Sequence, residues 1–386
     1  MFKAADKWLP GYLRSVLWRP HSAPGVRHLI FCVCDHYEPF RGGVDPVTAR
    51  QTVKDWLSAY PVATDSFRDA EGRPPKHTFF YPQEEYDADI LDDLADFCRG
   101  GFGEVEIHLH HRHDTPEGFR EKLVTFRNWL HERHGLLGEE KGLSCCPVSS
   151  PIRYAFIHGN WSLCNSRPDG DWCGVNEELG ILKETGCYAD FTFPSAPSPT
   201  QPRLVNAIYY ARDTPGKPRG ADGGTRVEVR SQKSASRSQY PEVRSQNATE
   251  TPLPLMIITG PMALNWRRRK WGIFPRLENA EITGANPPTP DRICLWAKPQ
   301  IGVVGRPDWV FVKVHTHGCV PENARVMLGT AMREAHEALQ KEFNDGTNWQ
   351  LHYVTAREMH NMVKAAELNL PGPPGLYRDT PIIWSA

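Results

Sequence analysis

The sequence lacks the marks of several protein classes. None of its ten cysteines forms a Cys-x-x-Cys pair, so no zinc knuckle or thioredoxin-type motif is present. No run of about 18 apolar residues occurs, so no membrane-spanning helix is expected. The first twenty residues contain no apolar core of the length a secretory signal needs. There is no Gly-x-Gly-x-x-Gly after the first apolar stretch and no Gly-x-x-x-x-Gly-Lys-Ser/Thr anywhere, which leaves nucleotide binding by those loops unsupported. No internal repeat is visible. Excess charge is absent too: 45 Lys and Arg stand against 46 Asp and Glu, a net charge of −1. That balance argues against holding nucleic acid or anionic lipid by bulk charge. The expectation is a cytoplasmic protein with reduced thiols, no membrane span and no nucleic-acid partner.

What is plentiful is proline and histidine: 34 prolines and 16 histidines in 386 residues. So much proline implies many fixed loops rather than a helical bundle. The hydrophobic share of 40% and the charged share of 24% suit a globular chain with a real core.

Strand and helix patterns alternate along the chain. Strands are expected at 28–35, 77–81, 104–111, 152–158, 188–193, 255–259, 309–317 and 351–355. Helices are expected at about 46–60 (Asp45 as N-cap, Pro46 at N1), 84–99, 116–134, 175–185, 323–343 and 356–368. This rhythm predicts an α/β fold with a mainly parallel sheet, and its length favours a barrel over two dinucleotide-binding halves. The expected layout is an N-terminal extension over 1–27, one domain over 28–370, and a C-terminal tail over 371–386. Residues 212–252 are polar and read as an excursion loop with a hairpin near Arg226–Arg230.

The strand faces carry the chemical signal. Alternation puts Val105, Ile107 and Leu109 on one face and Glu104, Glu106, His108 and His110 on the other. Likewise Val310, Val312 and Val314 oppose Trp309, Phe311, Lys313, His315 and His317. The first strand ends in Asp35-His36-Tyr37-Glu38, the fourth in His158-Gly159-Asn160-Trp161, and the fifth places Asp190 and Thr192 on one face. Polar, ligand-type residues thus collect at one strand-end rim, where barrel enzymes keep their sites. Burying several imidazoles and carboxylates together is costly unless a metal compensates them. That donor set suits zinc or another first-row divalent ion such as cobalt, nickel or manganese. Two loops add aromatic and charged residues: 161–172, a candidate cover for a carbohydrate cleft, and 261–271, either an anion contact or a solvated basic segment.

On these residues the chain resembles the polysaccharide deacetylases, the chitin-deacetylase-like carbohydrate esterases. The matching landmarks are Asp35-His36, His77-Thr78-Phe79-Phe80, Glu106-Ile107 leading to His110 and Asp114, Leu182-Lys183 leading to Gly186, and Val312-Lys313-Val314-His315. They run in order over about 28–320. Two positions depart from the family pattern: His36 stands for a second aspartate, and Asp114 for a second histidine. The resemblance implies a distorted seven-stranded (β/α) barrel and removal of an N-acetyl group from a sugar or polysaccharide intermediate. It implies a metal held by His36, His108, His110 and Asp114, with Asp35 as general base and His315 as general acid. It further implies a sugar contacted by Glu38, His158, Asn160, Trp161, Trp309 and His317, and polysaccharide-assembly enzymes as partners. Two alternatives stay open. One is a catalytically inactive carbohydrate-binding or scaffold protein, and the other is an amidohydrolase using His108-Leu109-His110.

Overall fold

The computed structural model describes residues 3–20, 25–140, 151–230 and 254–384. Its strands are β1 (Arg27–His36), β2 (His77–Pro82), β3 (Gly103–Leu109), β4 (Gly138–Glu140), β5 (Ile152–His158), β6 (Cys187–Asp190) and β7 (Ile208–Ala211). They continue with β8 (Thr225–Arg226), β9 (Leu255–Ile258), β10 (Ala263–Lys270), β11 (Phe274–Glu278), β12 (Trp309–Thr316), β13 (Trp349–Val354) and β14 (Ile382–Trp384). The helices are α1 (Ala5–Leu17), α2 (Pro46–Thr64), α3 (Ala88–Arg99), α4 (Pro116–Asn128), α5 (Glu178–Glu184), α6 (Pro290–Ala297), α7 (Pro321–Met327), α8 (Thr330–Phe343) and α9 (Ala356–Glu367). None of these helices is long and apolar enough to cross a membrane.

The central sheet runs β12-β1-β2-β3-β5-β6-β9-β7-β8 and is mostly parallel, with β7 antiparallel to both neighbours. Parallel strands need crossover connections, and α2, α3 and α4 supply them. Asp45 caps α2 through the Val47 and Thr48 amides, with Pro46 at its first position. Thr115 caps α4 through the Gly118 amide. The expected long helix at 323–343 is instead α7 and α8, broken at Leu328-Gly329. Helix α6, strand β4 and the β10–β11 hairpin carry too little apolar periodicity to be expected from sequence.

Side chains divide by strand face as the alternation requires. Val105, Ile107 and Leu109 pack with α2, α3 and α4 residues in one outer cluster. Leu29, Phe31, Val33, Val310, Val312 and Val314 pack with α6 and α8 in another. The inner face gathers Ile30, Cys32, Cys34, Phe80, Ile157, Tyr188, Met256 and Phe311. Helix α9 closes this inner face at the end remote from the strand C-termini. β1 pairs with β13 over Arg27–Cys32 and with β2 over Val33–His36, so β2 and β13 diverge. Met359, Met362 and Val363 of α9 join the inner cluster beside Ile30 and Cys32.

The inner face buries charge as well. Arg357 of α9 is bidentate to Glu104 at 2.7 and 2.9 Å and donates to the Ile382 carbonyl at 2.7 Å. Glu106 accepts from the Ala155 amide and bonds the Tyr188 hydroxyl, both at 2.5 Å. Burial pushes the Glu106 carboxyl up to about 8, so it is protonated at neutral pH.

Three expected segment assignments change. Within the expected tail over 371–386, the described residues to 384 are docked: β14 pairs with β4, and Arg378 is buried against Asp69 and Glu358. The excursion is not peripheral up to residue 230. Val227 is buried, Arg219 donates to the Ser166, Pro199 and Gln201 carbonyls, and β8 forms its hairpin with β7. Residues 231–252 lie outside the described residues. The N-terminal helix docks too, with Trp8 packed against Ala196, Val205 and Met262.

Two stability outcomes follow. Arg357→Met leaves Glu104 buried without its cation and is expected to cost ~3–5 kcal/mol in denaturant unfolding, with Glu104→Gln in the same background recovering part of it. Glu106→Gln is expected to fold and to flatten the pH dependence of stability. The wild-type carboxyl, raised from 4.5 to about 8, stabilises fully below pH 4.5 and loses that contribution as pH rises to about 8. Unfolding curves across that range check it.

Candidate metal centre and cleft

The parallel strands β1, β3 and β12 deliver their C-terminal residues to one place. His36, Glu38 and His108 present ligand atoms that all lie within 4.8 Å of one another, and all three are buried. His108 sits on the inner face because Glu104 and Glu106 do. Its Nδ1 lies 2.8 Å from the Ile157 carbonyl and donates to it, which leaves Nε2 with a free lone pair. That Nε2 is buried and unpartnered, and it lies 3.5 Å from Glu38 Oε1, which is also unpartnered. Arg41 holds the other Glu38 oxygen at 2.8 Å and so fixes the carboxylate. The His36 ring packs 5.0 Å from His108 and 4.6 Å from His317.

His110 and His317 form a rim around these three. Their Nε2 atoms lie 3.9 and 3.8 Å from Glu38 Oε1. Glu84 binds His110 Nδ1 at 2.5 Å and turns its Nε2 toward the centre. Burial pushes the Glu38 carboxyl up, but His108, His317 and His110 outweigh it and hold the group at about 2. Burial lowers His317 to about 4 and drives His36 well down, with neighbouring imidazoles adding to it. The result is an ionised carboxylate facing the neutral rings of His36 and His317. Two buried lone-pair atoms without partners are what a divalent ion would satisfy.

A cleft of about 560 Å³ opens beside this centre, lined by His315, Glu281, Asn279, Trp161, Arg167 and the 194–199 segment. His315 stands 6.2 Å from His36, ring to ring. Glu281 lies opposite His315 in a parallel bridge, so the two side chains share a face. Burial lowers His315 well below the usual imidazole range, with Lys313 adding to it, and burial raises Glu281. The Trp161 Nε1 is unpartnered.

Several expected site residues stand elsewhere. Asp35 faces outward with Val33. Its oxygens are taken by His77 Nε2 at 2.8 Å and the Gly318 amide at 2.6 Å, so it is not aimed at the cleft. Trp309 begins β12 and sits at the opposite end, against His28 and under Arg306. Asp114 and His158 belong to a second cluster. His158 ends β5 on the outer face with Phe156, and its Nε2 lies 2.9 Å from His111 Nε2 and 3.3 Å from Glu178. Asp114 binds Lys122 at 2.6 Å and lies 3.1 Å from His111 Nδ1. Asn160 is exposed on a left-handed turn, φ 53°. His36, His108, His110, Glu38, His315 and His317 are brought together, and Trp161 lines the adjoining cleft. Glu38, expected as a sugar contact, is instead among the ligand atoms. Glu281 escaped sequence reading because its segment belongs to no regular strand. The 261–271 segment forms the β10–β11 hairpin, which leaves Trp266 and Trp271 exposed.

No protein-family model matches the chain, and no curated protein matches it significantly.

Glu84→Gln is expected to lower the His110 titration midpoint, because burial already opposes the imidazolium and Glu84 is the carboxylate that overcomes it. Imidazole NMR titration reads the shift directly. An unchanged midpoint would show that Glu84 does not set the His110 charge.

Proposed function

We propose that the chain is a divalent-metal-dependent hydrolase that removes an N-acetyl group from a sugar or polysaccharide intermediate. It works in the cytoplasm alongside polysaccharide-assembly enzymes. On this reading the sheet is the wall of a distorted (β/α) barrel. The backbone bonds from Val304 to Val227, from Val229 to Val304 and from Phe311 to Ile301, which run between its two ends, support that closure. The observation that carries the functional reading is the pair of buried, unpartnered atoms, Glu38 Oε1 and His108 Nε2, beside His36 at the edge of a polar cleft. The choice of an N-acetyl sugar rests on the resemblance to the deacetylases.

His36, Glu38 and His108 hold the ion, and His110 and His317 border it. Zinc fits the imidazole–carboxylate set, as do cobalt, nickel and manganese. When bound, the ion supplies Lewis acidity for the amide carbonyl and for water. The chain's own groups handle the protons. His315, neutral through burial, takes the proton from the attacking water. Glu281, on the same face and with its carboxyl pushed up by burial, delivers one to the leaving amine. Groups pushed in opposite directions side by side suit this division of roles. It moves the base from Asp35 to His315 and the acid from His315 to Glu281. Trp161 offers a ring face and an indole N–H to the sugar, and Arg41 keeps Glu38 from turning away.

The test is metal content together with acetate release from N-acetylated sugars, measured on one set of variants. Wild type loaded with zinc or cobalt is expected to release acetate. His108→Ala is expected to lose one ion per chain and all activity. Glu281→Gln is expected to keep the ion and lose ~10²–10⁴ in kcat. If His108→Ala binds as much metal as wild type, the reading is wrong.

A further inference from the structure

A second set of metal-type ligands lies outside the proposed catalytic centre, on the helix-facing side of β3 and β5. His111, His158, Cys173 and Glu178 present ligand atoms within 4.8 Å of one another, and all four are buried. We propose that these four residues form a tetrahedral structural zinc site. This proposal does not depend on the hydrolase reading.

The first argument is proton counting. His158 Nδ1 donates to the Gly159 carbonyl at 2.6 Å, so its Nε2 carries a lone pair. That lone pair faces His111 Nε2 at 2.9 Å, while the Glu178 carboxylate lies 2.8 Å from His111 Nε2 and 3.3 Å from His158 Nε2. Three acceptor atoms thus converge, with at most one proton to share among them. A dry site of this kind is costly, and a dication relieves it. Two neutral imidazoles, one carboxylate and one thiolate around a 2+ ion give a neutral, fully coordinated site, with the thiol proton released to solvent on binding. Ligand atoms of a tetrahedral zinc site stand about 3.3 Å apart; His111, His158 and Glu178 stand 2.8–3.3 Å apart, with Cys173 Sγ within 4.8 Å of them.

The second argument is the outer shell, most of which is in place without the ion. Cys173 Sγ accepts from the Asn165 amide at 3.3 Å and the Val175 amide at 3.4 Å, the pattern that stabilises a metal-bound thiolate. The Cys164 amide donates to the second Glu178 oxygen. Asp114 stands behind His111 Nδ1 and is itself paired with Lys122. Cys173, Glu178 and His158 are therefore oriented by partners that do not compete for the metal, whereas His111 Nδ1 makes no hydrogen bond.

The third argument is what the site would hold. Residues 160–174 contain seven positions in the left-handed region: Asn160, Trp161, Cys164, Asn165, Gly170, Trp172 and Gly174. At Gly174, φ 104°, a Cβ would lie 2.6 Å from the Asp114 amide nitrogen, so the loop is pressed directly onto the 111–114 turn. A segment this strained, with few regular hydrogen bonds, needs a cross-link. It supplies Trp161, Arg167 and Asp169 to the cleft wall. Zinc on this cluster would fix that wall while taking no part in chemistry.

The test is cobalt(II) substitution of the full chain. Wild type is expected to show a thiolate-to-cobalt charge-transfer band with the visible bands of a tetrahedral ion. The charge-transfer band is expected to persist in His108→Ala and to vanish in Cys173→Asp, which keeps an anionic ligand so that the variant folds. Zinc-loaded Cys173→Ala is expected to hold one ion fewer per chain than wild type and to melt earlier. Absence of the thiolate band in cobalt-loaded wild type, or its survival in Cys173→Asp, overturns the proposal. Loss of the band in His108→Ala overturns it as well, because the thiolate would then belong to the other centre.

Discussion

Asp35 has no exposed atom and touches nothing in the cleft, yet the site geometry depends on it. One oxygen takes the His77 ring from β2, and the other takes the Gly318 amide just after β12. Three neighbouring strands are therefore tied together one residue before His36 and three residues before Glu38. A Cβ at position 318 would collide with the carboxylate, so only glycine allows this approach. Because His36 and His317 flank the two tied points, the distances at the candidate metal centre are set from behind by a buried carboxylate–imidazole contact. An aspartate in this position organises the site rather than acting in it.

Burial then decides which groups carry charge. Lys313 is wholly enclosed, donates to the Phe191 and Phe193 carbonyls, and has its ammonium destabilised by burial. Glu106 and Asp190 are pushed up to about 8 and about 7 by the same effect. The Glu104–Arg357 pair compensates itself. At the His36–His108 cluster Glu38 stays ionised, kept so by the imidazoles around it. A divalent cation entering there would meet that negative charge and the neutral nitrogens of His36 and His317. That is a donor set suited to a hard-to-borderline ion.

The faces of β3 and β12 were legible in the sequence because alternation is local: two residues suffice to say which side a third occupies. Hence His108 and His315 were placed on the inner face and at the right end, while β1 was read only as ending in Asp35-His36-Tyr37-Glu38. The reading failed where that rule stops. After a strand ends, direction is set by turn geometry, so His110 turns to one cluster and His111, its neighbour, to the other. Asp114 was expected beside His110 and lies behind His111 for this reason. Trp309 shares a face with His315 but begins the strand that His315 ends, and parity alone does not measure height. Glu281 and the Arg357–Glu104 pair depend on contacts between distant parts of the chain, which no local pattern encodes. The alternating strand and helix rhythm predicted an α/β fold with a mainly parallel sheet, and the central sheet is mostly parallel.

The docking of the last strand has a consequence for synthesis of the chain. Arg357 and Asn361 direct their donors to the carbonyls of Arg378 and Ile382, and Arg378 in turn reaches Asp69, Glu71 and Glu358. Until residues 378–382 emerge from the ribosome, α9 carries donors with no acceptors, and Asp69 and Glu358 lack a shared cation. The inner face therefore acquires its floor only once residues 378–382 have been made. Before that the β1–β9 sheet stands as an open, sticky surface, and residues 378–384 act as the latch that closes it.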